Sequence, residues 1–116
     1  MESILISIKK LLGITEECTD FDADIIMHIN TVFMVLRRLG VGPEEGFVIE
    51  DEITTWNEYL PDSTLEKIAA VKTYVYLKVK TVFDPSLSSS VMNSMNNMIT
   101  ELEWRLNEVA ESAEFK

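Results

Sequence analysis

The sequence is poor in the residues that cross-links and most active sites require. It has one cysteine, Cys18, and one histidine, His28. A single cysteine excludes a disulfide within the chain, and the neighbouring acids Glu16, Glu17 and Asp20 disfavour the thiolate that a nucleophile needs. His28 has no second ligand at a spacing that would complete a metal site on its helix face. We therefore interpret His28 as a structural side chain and predict no metal site there.

Other chemical signatures are also missing from the sequence. It contains no glycine-rich phosphate loop, no nucleophile elbow and no His-Glu-x-x-His pair, and the acids of 44–52 do not follow the register of a calcium loop. We therefore predict that the protein is not an enzyme and binds no cofactor. Because no apolar run is long enough to cross a bilayer, no membrane partner is expected.

Glycine and proline are scarce, with four and three residues among 116. Their scarcity favours long regular elements, and a hydrophobic fraction of 47% with 26% charged residues is typical of a globular chain. The length suits one domain, 1–116. We predict an all-α fold, a small bundle of about four main helices at 2–12, 22–39, 64–83 and 87–111, plus a short helical turn near 54–60.

The longest apolar and aromatic run, LEKIAAVKTYVYLKVKTVFDP at 65–85, organises the prediction. Its β-branched and aromatic residues would also suit a strand, but it has no Gly, Pro or turn pair before Asp84, and a strand of that length is uncommon. On a helix, the predicted core face is Leu65, Ala69, Lys72, Tyr76, Val79 and Phe83, with Ile68 and Val75 at its edge. Lys72 then needs Glu101, Glu103 or an acid of another copy as a partner, unless its ammonium reaches water.

The helices on either side carry clearer apolar stripes. In 22–39 the predicted core residues are Ile25, Ile29, Val32, Leu36 and Leu39. A weaker stripe of Met27, Met34 and Val35 is either an adaptable contact surface or a second buried wall. In 87–111 the predicted core residues are Leu87, Val91, Met95, Met98, Leu102, Leu106 and Val109. Trp104 falls off that stripe, and the tail 112–116 is expected to fray.

The segment 40–63 is a long loop or arm that holds three of the glycines and two of the prolines. Phe47, Val48 and Ile49 predict a short strand or an extended arm. Connections of this length are usually functional or disordered. Trp56 and Tyr59 either pin the arm to the bundle or serve in an interface, where such aromatics are common.

Charge is segregated along the chain, which has a formal net charge of −10. Residues 44–58 hold six acids and no base, whereas 67–80 hold four lysines and no acid. This asymmetry either joins copies head to tail or is a solvated acidic loop beside an ordinary helix. The net charge argues against gripping nucleic acid through its phosphates.

The most telling segments of the chain are KTYVYLKVK-x3-DP at 72–85 and EWRLN at 103–107. In these segments and in their order the chain resembles the head–tail connector (adaptor) proteins of long-tailed bacteriophages and prophages. The resemblance covers nearly the whole chain, and the stretches that carry it are LLGI at 11–14, DADIIMHINTVFMVLRRLGVGP at 22–43, GFVI at 46–49 with TW at 55–56, IAAVKTYVYLKVKTVFDPS at 68–86 and ELEWRLN at 101–107.

The resemblance implies a helical bundle that assembles into a ring, dodecameric in the particle, beneath the phage portal protein. Its expected partners are further copies of itself, the portal, and the next connector, stopper or tail protein. DNA would pass through the channel without sequence-specific binding. The expected location is the head–tail junction of the virion, after assembly in the host bacterial cytoplasm. The residues predicted to contact other subunits or the portal are Phe47, Trp56, Tyr59, Lys78, Lys80, Trp104 and Arg105.

Two other functions stay open from the residues alone. An acidic module that mimics DNA would also carry a net charge of −10, and would present acids along one exposed face to a basic protein. A small enzyme with a carboxylate site in 44–52 would depend on a metal and on Glu50 or Asp51.

Overall fold

The computed structural model of the chain describes residues 2–84 and 87–114, with side chains described up to residue 108. These residues form five helices: α1 (Ile4–Leu11), α2 (Asp22–Arg38), α3 (Trp56–Tyr59), α4 (Leu65–Phe83) and α5 (Ser89–Glu114). No strand forms in the described part, and Ser3 and Thr55 make an isolated antiparallel bridge. The predicted all-α bundle is confirmed. None of the described helices is both long enough and apolar enough to span a membrane.

Hydroxyl side chains cap the starts of α1, α3 and α4, whereas α2 begins after Phe21 with no capping side-chain hydrogen bond. Ser3 Oγ accepts a hydrogen bond from the backbone N–H of Ile6 at 3.2 Å. The hydroxyls of Thr55 and Thr64 act in the same way at the starts of α3 and α4, at 3.3 and 3.1 Å. Each cap satisfies a donor that the first turn of a helix leaves free. As predicted, α4 is one continuous helix rather than a strand, and Thr64 is its N-cap.

The central helix α4 packs against α1, α2 and α5. Its predicted core face is only partly right: Val75 and Val79 are buried and Phe83 packs against the core. Leu65, however, is 86% exposed and Ala69 is exposed. The buried residues of the helix are Val71, Tyr74, Val75, Leu77 and Val79. The apolar and aromatic residues of α4 are distributed around most of its circumference. The sequence therefore shows little difference in polarity between the faces from which to predict the inward one.

The stripe of α2 is predicted correctly, since Ile25, Ile29, Val32 and Leu36 are buried. In α5, Met95 and Leu106 are buried as predicted, but Val91 and Met98 are 45% and 48% exposed, and Ile99 is buried in their place. Predicted features at Pro85, Ser86 and the Val109 side chain lie outside the described residues. The fraying of 112–116 stays a prediction, and Phe115 and Lys116 are also outside.

Two lysines form ion pairs that join separate segments of the chain. Lys72 pairs with Glu2, with 2.7 Å between Nζ and Oε1, and not with Glu101 or Glu103. Glu103 instead accepts a hydrogen bond from the Tyr74 hydroxyl at 2.7 Å, and burial together with this carboxylate raises the pKa of Tyr74. The buried lysine is Lys9, which is 1% exposed and lies 2.9 Å from Asp22, between Nζ and Oδ1.

Candidate interaction surfaces

Residues 47–55 of the 40–63 segment, called the arm from this point, are held along α1 and α2 by hydrogen bonds to their backbone groups. Asn30 of α2 binds both polar groups of Ile49: its Nδ2 donates to the carbonyl at 3.0 Å, and its Oδ1 accepts from the N–H at 2.8 Å. Further along, the N–H of Ile4 donates to the carbonyl of Thr54 at 3.0 Å. Because side chain and backbone of the bundle satisfy the arm's polar groups, the arm needs no sheet partner to be ordered.

The three predicted aromatic contacts lie close together, but they are directed into the chain's own core. Trp56 is 1% exposed, and its Nε1 donates to Ser7 Oγ at 2.8 Å. Tyr59 is also 1% exposed and stacks on Phe33 with 4.2 Å between ring centroids. Phe47 packs on Tyr59 at 4.9 Å, and burial raises the pKa of Tyr59.

This arrangement matches the interpretation in which the aromatics pin the arm to the bundle. A contact with another chain would have to use the outer side of the arm that they hold in place. On that side Val48 and Ile53 are 63% and 75% exposed. The alternation is that of an extended segment, with Phe47 and Ile49 turned inward and Val48 outward.

Residues 45–48 and α2 line the two sides of an open cleft of about 650 Å³, which we call the α2–arm cleft. Phe33 and Phe47 contribute aromatic surface, and Met34, 67% exposed, contributes apolar surface from α2. The remaining lining residues are Arg37, Arg38, Glu45, Gly46 and Val48. The cleft therefore combines an apolar lining with two adjacent cations. The methionine stripe in the sequence indicated a possible contact surface on α2. The position of the arm beside that surface could not be predicted from the spacing of residues in the sequence.

The predicted basic residues of α4 are only partly exposed. Lys80 lies 3.6 Å from Asp84, between Nζ and Oδ2, and its side chain is 24% exposed. Lys78 is half-buried. Together with the pairing of Lys72 to Glu2, this leaves α4 less free positive charge than the count of lysines suggests.

Trp104 is the most exposed aromatic side chain among the described residues, at 66%. It lies nine positions after the buried Met95, about two and a half helical turns, and so on the opposite side of α5. Arg105 pairs with Glu101 across one turn at 3.0 Å, and both are well exposed. We call the exposed surface formed by Thr100, Glu101, Trp104 and Glu108 the α5 outer face. The sequence prediction that Trp104 lies off the core stripe is confirmed.

Comparison with known proteins gives one family. The sequence model of the family described as phage connector protein matches residues 4–113 of this chain. No curated protein and no solved structure matches it. In the described part of the chain, no group of three or more His, Cys, Asp or Glu residues is placed to hold a metal ion.

Proposed function

The chain belongs to the phage connector protein family, and we propose that it is a structural subunit of the ring that joins the portal of the phage head to the tail. The observation that carries this proposal is the family match over nearly the whole chain. It is supported by two separate exposed surfaces, the α2–arm cleft and the α5 outer face, because a ring built from one chain needs two different contact surfaces.

The charge balance suits a subunit that lines or surrounds a DNA channel. The formal net charge is −10, and Glu44, Glu45, Glu50, Asp51 and Glu52 are all exposed. An acidic surface cannot displace the counterions of DNA phosphates as Lys and Arg do, so it does not bind DNA tightly. Packaged DNA would pass along the ring without adhering to it.

We propose the portal above the ring, and a stopper, second connector or tail protein below it, as the other partners. In the particle the ring would match a dodecameric portal. The protein would be found at the head–tail junction of the virion after assembly in the host cytoplasm. These proposals are supported by the match to the phage connector family and by the resemblance of the sequence to head–tail connectors.

The proposal is tested by the mass of the purified protein in solution, measured by light scattering alone and after mixing with the portal from the same genome. We expect a ring, formed either by the protein alone or only when portal is present. A protein that stays monomeric and does not bind portal would contradict the proposal.

A second candidate is an acidic module that mimics DNA, favoured by the exposed acids of 50–52. It differs in its partner, which would be a basic nucleic-acid-binding protein rather than the portal. Capture of such a protein at low salt, with loss at high salt and no binding to portal, would favour the mimic.

The lysines of α4 give a prediction about assembly. If acids of a neighbouring copy pair with α4, reversing the charge of Lys78 and Lys80 together, K78E with K80E, is expected to weaken association of subunits by about tenfold, because attraction to those acids becomes repulsion. Helicity by circular dichroism should stay unchanged. The exposed Lys10→Glu on α1 is a control for lost positive charge, and it should assemble normally. Unchanged ring formation by the double variant would exclude charge pairing through α4.

A further inference from the structure

We propose that the α5 outer face of one copy docks in the α2–arm cleft of the next copy, with Trp104 as the central side chain. This inference rests on the proposed function, since it names the two surfaces through which ring subunits would meet. The first argument is chemical. Trp104 is 66% exposed, and its neighbours on this face, Thr100, Glu101 and Glu108, are polar. An exposed indole in such a setting is a typical centre of an interface.

The acids beside Trp104 give the α5 outer face a definite charge. Glu101 and Glu108 lie three residues before and four residues after Trp104, so all three share one side of the helix. Both carboxylates are on exposed residues. The docking element is therefore an aromatic side chain flanked by two negative charges, one of which is held in part by Arg105 at 3.0 Å.

The α2–arm cleft has the complementary properties. Its volume of about 650 Å³ is large enough to hold an indole, and Met34 and Val48 belong to its apolar lining. Methionine adapts its shape to an aromatic partner. Arg37 and Arg38 can stack on the indole and pair with the acids beside it. Glu45 also lines the cleft and opposes those acids, so the net charge of the lining is that of one cation.

The two surfaces do not meet within one chain. Among the described residues, none of α5 lines the α2–arm cleft. Trp104 lies on the side of α5 opposite Met95, which is buried, and Met34 lies on the exposed side of α2. A contact between two different surfaces of identical chains repeats head to tail and closes into a ring when the rotation allows. A second copy is therefore the occupant that the chain itself supplies.

Cysteine cross-linking tests this contact without removing the indole. In a Cys18→Ser background, one population carries Thr100→Cys beside Trp104, and the other carries Glu45→Cys at the cleft. Both positions are exposed. Under assembly conditions, with portal if the ring requires it, a short bismaleimide should join the two variants into a covalent dimer when they are mixed. Neither variant should cross-link when assembled alone.

A second measurement keeps the test independent of the cross-linker. Trp104→Ala is expected to weaken association at least about thirtyfold, as for a central interface residue. Leu65→Ala, which truncates a side chain that is 86% exposed on α4, should have little effect. Intrinsic fluorescence should shift to shorter wavelength on assembly of the wild type, because Trp56 is already buried and Trp104 is not.

The outcomes separate this inference from the proposed function. Rings that form without a Thr100–Glu45 cross-link, and that tolerate Trp104→Ala, would overturn the docking contact and leave the connector function intact. A cross-link between two Thr100→Cys chains would mean a symmetric contact through α5, which also overturns it. A wild-type protein that forms no ring, alone or with portal, would overturn both.

Discussion

Replacing Lys9 by methionine is expected to lower the free energy of unfolding by about 3–5 kcal/mol, as when a buried ion pair loses one partner. The Lys9 residue is 1% exposed. Its Nζ donates to the carbonyls of Glu16 and Cys18 at 3.1 and 2.7 Å and lies 2.9 Å from Asp22 Oδ1. Methionine would fill much of the space but would leave two carbonyls and a carboxylate without their cation. Urea unfolding followed by circular dichroism measures the change.

The neighbouring residue provides a matched control. Lys10 is exposed, so Lys10→Met removes the same charge from the same helix and should change stability by less than about 0.5 kcal/mol. The difference between the two variants then reports the buried contacts and not the net charge. Equal unfolding curves would show that the ammonium of Lys9 does not hold the connection between α1 and α2.

Lys9 also marks a limit of sequence analysis. It follows Leu5 by one helical turn, so the apolar period of α1 places it on the inner side. Its partners, however, are backbone carbonyls in the connection after α1, and no periodicity predicts the path of that connection. The sequence prediction singled out Lys72 instead, because it placed Lys72 on the core face of α4. In the structure Lys72 is partly exposed and pairs with Glu2.

The helices themselves were predictable to within a few residues. Hydroxyl caps mark the starts of α1, α3 and α4, and glycines follow the ends of α1 and α2. The inward face was predictable only where polar and apolar residues alternate with a clear period. In α2 this held from Ile25 to Leu36, whereas α4 is apolar around most of its circumference. In α5 the buried residue is Ile99 and not the predicted Met98. The two are adjacent and both apolar, so the apolar pattern alone does not determine which of them faces the core.

The candidate surfaces divide in the same way. Trp104 could be predicted to lie off the core stripe, because its distance from Met95 along the helix is enough to place it. The α2–arm cleft could not be predicted, because it depends on where residues 45–48 return against α2. That return is set by the Asn30 contacts with Ile49 and by the turn at Gly42, and both are long-range or conformational features.

The turn at Gly42 lies directly against the Tyr59 ring. Gly42→Ala is expected to lower the free energy of unfolding by about 2–4 kcal/mol. The residue has a φ of +90°, a conformation that side chains rarely adopt, and a Cβ there would lie 2.7 Å from Cε1 of Tyr59. The Tyr59 ring cannot simply move away, because it is 1% exposed and stacks on Phe33 at 4.2 Å. Urea unfolding gives the change, and near-ultraviolet circular dichroism reports the aromatic packing.

Gly13→Ala separates the two causes. Gly13 has a similar φ of +82°, but a Cβ there would meet nothing within 4 Å, so this variant should lose only the conformational part, about 1–2 kcal/mol. The excess loss in Gly42→Ala measures the contact with Tyr59, and losses of equal size would mean that the ring yields freely. Because Phe47 rests on Tyr59 at 4.9 Å and lines the α2–arm cleft, a displaced ring also moves part of the cleft lining. Under conditions where both variants are folded, subunit association should therefore weaken in Gly42→Ala and not in Gly13→Ala, which links the packing of the arm to the surface proposed for assembly.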